Sequence, residues 1–220
     1  MIEPTKIVKS RRKTIALVIN SDAELVVRAP FYASNQDIMR FVQEKQDWIK
    51  RKTEEMKNKR QEWPTLSLQD GEKILYLGRE CMPFHGMTRK IYFDGKAFLL
   101  PDSKDARTKL VTWYKKRATA ILQERVDTIA KKMQVFPEGV KITSAKTRWG
   151  SCSSTNHLNF SWRLIMCPPE VVDYVVVHEL CHIWHKNHSR SFWESVAKID
   201  SSYRDHEQWL KENRRIMEIL

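Results

Sequence analysis

The residues best suited to chemistry lie between positions 157 and 188, which hold five of the seven histidines. His178, Glu179 and His182 form a His-Glu-x-x-His pattern that follows three consecutive valines, and this apolar run indicates a buried helix. Residues four apart on a helix lie one turn apart on the same face, so both imidazoles can reach one ion. Zinc binds imidazole nitrogen at about 2.0–2.1 Å, and a neighbouring glutamate can take a proton from zinc-bound water. The pattern predicts a catalytic zinc site with Glu179 as general base, rather than two surface histidines with this spacing by accident.

A third protein ligand is expected, because catalytic zinc usually has three protein ligands plus water. His185 and His188 compete for this position. Three ligands on one straight helix face would be spread too far along its axis, which argues against His185. The longer spacing to His188 lets the chain turn back, and Asn187 tolerates the left-handed conformation that such a turn uses. We predict His188 as the third ligand, with an acidic residue farther on, such as Glu194, as its main rival.

Strand-forming runs and one helical pattern fill the first hundred residues. Residues 14–20 and 24–30 are rich in β-branched side chains around a short polar stretch, which predicts a hairpin. Ser34, three residues before Asp37, predicts a capped helix from residue 35 to about residue 60. Further strands are predicted at residues 73–77, 90–93 and 97–100. Together they predict a small, mainly antiparallel β-rich subdomain with one long helix over residues 1–102.

The remaining residues, 103–220, are predicted to form the catalytic subdomain, so the fold class is α+β. A helical pattern over 103–134 precedes strands at 140–146, 147–152 and 157–165. Pro168 and Pro169 predict the start of the helix that carries the histidines. Two more helices are expected, one from Ser189 or Ser191 and one from about Arg204 to the end.

Charge and cysteine content bear on partners and location. The formal net charge is +12, from 39 basic and 27 acidic residues, which favours an anionic partner such as nucleic acid or nucleotide. Neither a secretion signal nor a membrane-spanning run is evident. The cysteines fall in no Cys-x-x-Cys pair, which favours reduced thiols and a cytoplasmic location.

The string HELCHIWHKNHSRSFW, preceded by KTRWGSCSSTNHLNFSWRLIMCPPEVVDYVVV, resembles the YgjP-like family of metal-dependent hydrolases, which is related to SprT-like and WLM-type metallopeptidases. The likeness extends to VRAP at 27–30, the helix containing Phe41 and Trp48, and WYKKRA at 113–118. The resemblance implies a zincin-like core, three histidine ligands (here His178, His182 and His188) and Glu179 as catalytic base. It leaves the substrate open, because the family is peptidase-like by fold and motif whereas some members are assigned a UTP pyrophosphatase activity.

The RWGSC segment at 148–152 and the strand after it are candidates for substrate binding. In zincin folds an edge strand above the metal often binds extended substrate, so Asn159 and Arg163 at the ends of segment 159–163 are candidate contacts. Arg148 could stabilise an oxyanion or a phosphate. Gly150 and Cys152 are predicted to be structural, the glycine permitting a tight bend and the cysteine filling the core.

Three functions remain. The first is a metallopeptidase acting on a peptide or protein. The second is a nucleotide pyrophosphatase using the same metal, weakened because no Walker-type loop or carboxylate cluster for magnesium is evident. The third is a nucleic-acid-associated protease, which the net charge allows but no nucleic-acid-binding motif supports.

Overall fold

The computed structural model describes residues 2–20, 23–62, 68, 72–218 and 220. The chain forms two compact units, Met1–Pro64 and Thr65–Leu220, and each has its own apolar core. Among the described residues no helix has both the length and the apolar character needed to cross a membrane.

The first unit is a three-stranded sheet with two helices. Its elements are β1 (Lys6–Ser10), β2 (Ala16–Ile19), β3 (Leu25–Pro30), α1 (Asn35–Glu44) and α2 (Gln46–Glu62). The predicted hairpin is confirmed as β2–β3, and β1 adds a parallel strand on the other side of β3. The predicted cap is also confirmed, since Ser34 Oγ accepts a hydrogen bond from the Asp37 backbone N–H at 3.0 Å. The single long helix that was expected is instead two helices, which meet at Lys45.

The second unit combines two sheets with four helices among its described residues. Its elements are β4 (Ile74–Tyr76), β5 (Arg79–Gly86), β6 (Tyr92–Phe93), β7 (Ala97–Pro101), α3 (Ala106–Met133), β8 (Gly139–Thr143), β9 (Gly150–Cys152), β10 (His157–Ser161), α4 (Pro169–Trp184), α5 (Arg190–Ile199) and α6 (Tyr203–Glu212), with 3-10 helices at Trp162–Met166 and Arg214–Glu218. The sheet orders are β4-β5-β7-β6 and β8-β10-β9. The strand predicted over 157–165 therefore ends at Ser161, and its second half is 3-10 helix.

The strands at 74–101 belong to the second unit, whereas the sequence-based boundary at 102 had assigned them to the first. The reason is their packing. Ile74, Phe98 and Leu100 are buried in the same core as the apolar faces of α3 and α4, and the Tyr114 hydroxyl of α3 donates to the backbone carbonyl of Leu75. Long-range contacts of this kind leave no mark in a local pattern of strand and turn residues.

The fold is mixed α/β, and four of the seven described strand pairs are antiparallel, as expected, but the parallel pairs were not predicted. Each of the three sheets contains one parallel pair, namely β1–β3, β5–β7 and β8–β10. Turn residues between neighbouring runs indicate only antiparallel hairpins, because a parallel pair is joined by a longer connection whose path depends on the rest of the fold. Strand β5, which was not predicted, contains Pro83, a residue that argues against a strand in a local pattern.

Candidate active site and metal centre

Helix α4 places the first two histidines side by side. It begins with Pro169 at its first turn, as predicted, and its valines at 171, 172, 175, 176 and 177 are buried in the core. His178 and His182 are partly buried, and their ring centroids lie 5.0 Å apart. Helical spacing thus brings the two imidazoles together, as the sequence predicts.

The chain then turns back and brings His188 to the same point. Helix α4 ends at Trp184, and His185 has an extended conformation with φ −129° and ψ 104°. Ser189 caps α5, its hydroxyl accepting from the Phe192 backbone N–H at 3.4 Å. The Nε2 atoms of His188 and His178 are 3.0 Å apart, and one ligand nitrogen from each of His178, His182 and His188 lies within 4.8 Å of the others. Asn187 does not have the left-handed conformation expected of it, because the extended His185 already redirects the chain.

The three histidines fit a divalent metal ion by geometry and by protonation state. Two nitrogens bound at about 2.0–2.1 Å around a tetrahedral ion lie roughly 3.4 Å apart. The Nε2 atoms of His178 and His188 are 3.0 Å apart, and the three ligand nitrogens lie within 4.8 Å of one another, so small side-chain movements bring them to this spacing. The Nδ1 of His182 is 2.9 Å from the carbonyl oxygen of His185. A carbonyl can only accept, so Nδ1 carries the proton and Nε2 keeps its lone pair for a metal. Burial, with smaller contributions from His182 and His188, lowers the pKa of His178 to about 3, which keeps its imidazole neutral, the form that binds metal.

The two rival third ligands lie elsewhere. The His185 ring points to α5, where its Nε2 is 3.1 Å from Ser195 Oγ. Glu194 forms an ion pair with Arg190 at 2.8 Å. Neither belongs to a group of metal-ligating atoms among the described residues. His185 contributes to the site through its backbone carbonyl rather than through its side chain.

Phe192 forms an aromatic wall for all three histidines. It is fully buried, and its ring centroid lies 4.9 Å from that of His178, 4.6 Å from His182 and 4.8 Å from His188. Rings packed this closely restrict the rotation of each imidazole. Sequence reasoning gave Phe192 no role at the site, and its position three residues after the Ser189 cap, on the inner face of the first turn of α5, was the signal available.

Glu179 lies in an apolar environment beside the histidines. Its side chain is only 6% exposed, and burial raises the pKa of its carboxyl to about 8. A hydrogen bond from the Cys152 backbone N–H and the positive charge of Arg148 act in the opposite direction. Among the described residues Oε2 has no hydrogen-bond partner. A buried carboxyl with a raised pKa and a free oxygen suits proton transfer near neutral pH.

Strand β9 approaches Glu179 so closely that only glycine fits at position 150. A Cβ added there would lie 2.7 Å from both Cγ and Oε1 of Glu179, well inside van der Waals contact. The lack of a side chain at Gly150 therefore makes room for the Glu179 carboxylate, in addition to permitting a bend. The Cys152 N–H donates a hydrogen bond to the same carboxylate. Both residues were predicted to be structural. A glycine inside a strand pattern also signals close approach of another group, which was the available clue.

With Glu179 as the general base that the sequence predicts, Gly150→Ala is expected to lower kcat by about 100-fold, the scale of loss for a catalytic group displaced by about 1 Å. The added methyl must push the Glu179 carboxylate aside while leaving the histidines in place. Metal content and turnover measured on the same preparation test this. Gly139→Ala is the matched control, because it lies in the same sheet and its Cβ would make an ordinary contact of 3.5 Å with His157. Wild-type turnover by metal-loaded Gly150→Ala protein would contradict the steric argument.

The three candidate substrate contacts have different surroundings. Arg148 and Asn159 line one polar cleft together with Gly150 and Ser151. Arg163 is 3% exposed, its guanidinium carbon lies 4.2 Å from the centre of the Trp162 ring, and it donates to the carbonyl oxygen of Leu220. The Arg163 side chain is therefore buried and engaged by other parts of the protein, where substrate cannot reach it. The prediction that it binds substrate is wrong.

The expected edge strand is also a different one. Strand β10, which carries Asn159, is central in the order β8-β10-β9 and pairs on both sides. The edge beside the site is β9, which pairs only with β10 among the described strands. The pattern of alternating residues identifies a strand but cannot show its neighbours, since pairing partners are distant in sequence.

Lys186 connects the loop that carries His188 to the turn after β9, the strand that contacts Glu179. Its ammonium donates to Asn156 Oδ1 at 2.6 Å and to the Ser153 carbonyl oxygen at 3.2 Å. Both acceptors lie in the turn between β9 and β10. Sequence reasoning missed this contact, because one exposed lysine in so basic a chain carries no distinguishing signal.

One comparison with known proteins, the match to a family model, agrees with the site. The family model described as YgjP-like, metallopeptidase domain, matches residues 13–213, so the fold and site define a metal-dependent hydrolase of the metallopeptidase class. The chain belongs to the YgjP-like family. A solved structure, the crystal structure of the metallopeptidase zymogen of Pyrococcus abyssi abylysin, is 17% identical over 41% of this chain and 93% of that one, with a TM-score of 0.38, a likeness too small to carry an argument. A search of curated proteins found no match.

Proposed function

We propose that the chain is a zinc metallopeptidase with a zincin-like core, in which His178, His182 and His188 hold the ion and Glu179 is the general base. The observation that carries this proposal is the convergence of three imidazoles within 4.8 Å beside a buried carboxyl whose pKa is raised. Three nitrogen ligands that leave a position for water, with a carboxylate nearby to act as base, are the arrangement of a catalytic zinc site.

The residues around Glu179 support its role in proton transfer. When bound, zinc supplies Lewis acidity, which polarises a carbonyl and makes water more acidic. Glu179 accepts the proton of the attacking water and delivers it to the leaving amine. The Cys152 N–H orients the carboxylate, and the absence of a side chain at Gly150 leaves it room. The positive charge of Arg148 favours the ionised carboxylate of Glu179 over the neutral acid, and the ionised form is the one that acts as a base.

The substrate side of the site fits an extended peptide. Among the described residues β9 has a partner strand on one side only. On its other side the Cys152 N–H is taken by Glu179, and we propose that an extended peptide pairs with the remaining backbone groups of this edge through main-chain hydrogen bonds. Arg148 and Asn159 line the adjoining cleft, and the role proposed for Arg148 is to stabilise negative charge that develops on a carbonyl oxygen. All four cysteines are unpaired, in keeping with the reducing cytoplasm that we propose as its location.

A nucleotide pyrophosphatase is the second candidate, and the cation of Arg148 in the polar cleft is the observation that favours it. A phosphate could take the place that the peptide proposal gives to the oxyanion. Against this candidate, the described residues contain no cluster of three or more carboxylates able to hold magnesium beside the histidines.

One experiment separates the two candidates. The zinc-loaded protein is incubated in parallel with a mixture of unstructured peptides and with each nucleoside triphosphate, and new amines and released pyrophosphate are both measured. We expect new amines, dependent on zinc and absent with Glu179→Gln. Pyrophosphate release without new amines would show that the site hydrolyses nucleotides, and it would contradict the peptidase proposal.

A further inference from the structure

The first unit carries a concentrated positive charge that the proposed hydrolase function does not use. Four of the five residues 9–13 are cations, and residues 4–20 contain no aspartate or glutamate. The side chains of Arg11 and Lys13 are exposed, and neither has an ion-pair partner within the described parts of the chain. Two unpaired cations so close together form a local site for anions rather than a neutralised surface.

Two exposed aromatic rings lie beside these cations. Phe31 and Tyr32 form the turn after β3 and are 63% and 79% exposed. The Tyr32 hydroxyl donates to the carbonyl oxygen of Lys13 at 3.0 Å, and the Lys9 ammonium donates to the carbonyl oxygen of Ala33 at 2.9 Å. The two hydrogen bonds hold the basic segment against the aromatic turn. The rings and the positive charges are distant in sequence, and the fold brings them together through these two hydrogen bonds.

Exposed ring faces interleaved with cations match the chemistry of single-stranded nucleic acid. Cations bind its phosphates, and unpaired bases stack on aromatic side chains regardless of base identity. We propose that Arg11, Lys13, Phe31 and Tyr32, the basic–aromatic patch, bind single-stranded nucleic acid. This function is separate from hydrolysis, since the patch lies in the first unit and the histidine site in the second.

Other anionic partners fit the patch less well. Bases in a duplex are already stacked on each other, so their faces are closed to protein rings. An anionic membrane is bound by a broad apolar face inserted into the headgroup region, whereas the patch offers two rings, one of them tied to the backbone at Lys13. A flat, tethered ring suits stacking better than insertion.

The test is fluorescence anisotropy of a labelled oligothymidine of about 16 nucleotides, a length at the upper end of single-domain site sizes, titrated with the full chain at several salt concentrations. We expect binding that weakens with salt. The double variant Phe31→Ala/Tyr32→Ala should bind the oligonucleotide more weakly, by about 5- to 150-fold for each ring that stacks on a base. The salt dependence of binding should not change, because no positive charge is removed. Tyr32→Phe keeps the ring and should lose less affinity than Tyr32→Ala.

The double variant Arg11→Gln/Lys13→Gln should act differently, lowering the slope of log affinity against log salt by about 0.7 for each phosphate that the protein no longer neutralises. Its matched control is Lys115→Gln/Lys116→Gln, which removes the same charge from two exposed lysines of α3 in the second unit and should bind like the parent. Thermal unfolding of every variant shows that it is folded.

Three outcomes would overturn the proposal. The first is no binding of the oligonucleotide even at low salt. The second is equal loss of affinity in the Arg11/Lys13 variant and in the Lys115/Lys116 control, which would assign binding to net charge alone. The third is tighter binding to vesicles of anionic phospholipid than to the oligonucleotide, with both affinities lowered by the ring variants, which would make the patch a membrane contact. Peptidase activity is independent of all three.

Discussion

Glu179→Gln is expected to keep its zinc and to lose peptidase activity by about 10²- to 10⁴-fold or more, the usual contribution of a general base. The substitution keeps the size of the side chain and removes only its ability to accept a proton. None of the three imidazoles is altered, so metal affinity should change little. Burial already disfavours the charged form of Glu179, as its raised pKa shows, and the neutral amide should therefore fold at least as stably as the parent.

Turnover, zinc content and thermal unfolding measured on one preparation check this expectation. Glu170→Gln is a suitable control, because it lies in the first turn of the same helix α4 and outside the histidine cluster. It should be indistinguishable from the parent in all three measurements. Substantial turnover by zinc-loaded Glu179→Gln protein would mean that another group removes the proton.

His188→Ala should weaken zinc binding by more than the roughly 10- to 100-fold that the loss of an outer-shell hydrogen bond costs, because it removes one of three converging nitrogens. His185→Ala should leave zinc affinity nearly unchanged. The His185 side chain contacts Ser195, and the backbone carbonyl that receives the His182 Nδ1–H remains in the variant. The pair thus tests a metal ligand against a close neighbour in the same loop.

Competition with a chromogenic chelator ranks the two variants without any need for substrate. The ranking is independent of whether the enzyme cleaves peptides or nucleotides, so it tests the metal site alone. If His185→Ala lost zinc and His188→Ala kept it, the assignment would be wrong, and the helix would have to continue past Trp184 in solution.

The sequence by itself determined the features that depend on short spacing. His178 and His182 share a helix face because four residues make slightly more than one turn. Ser34 and Ser189 begin helices where their hydroxyls accept backbone N–H groups, and Pro169 opens α4 because a first-turn residue needs no N–H partner. The choice of His188 as third ligand also came from the sequence, although the turn that delivers it uses an extended His185 and not a left-handed Asn187.

Only the tertiary structure decided which distant segments meet. The backbone of Gly150 and Cys152 contacts Glu179 from another element, β9 and not β10 forms the edge beside the site, and Arg163 is buried against Trp162 instead of facing substrate. The strands at 74–101 likewise join the second unit through a shared core. Helical spacing and caps depend on hydrogen bonds within a few residues, whereas strand order and close approach depend on packing between segments far apart in the chain, which no local pattern of residues encodes.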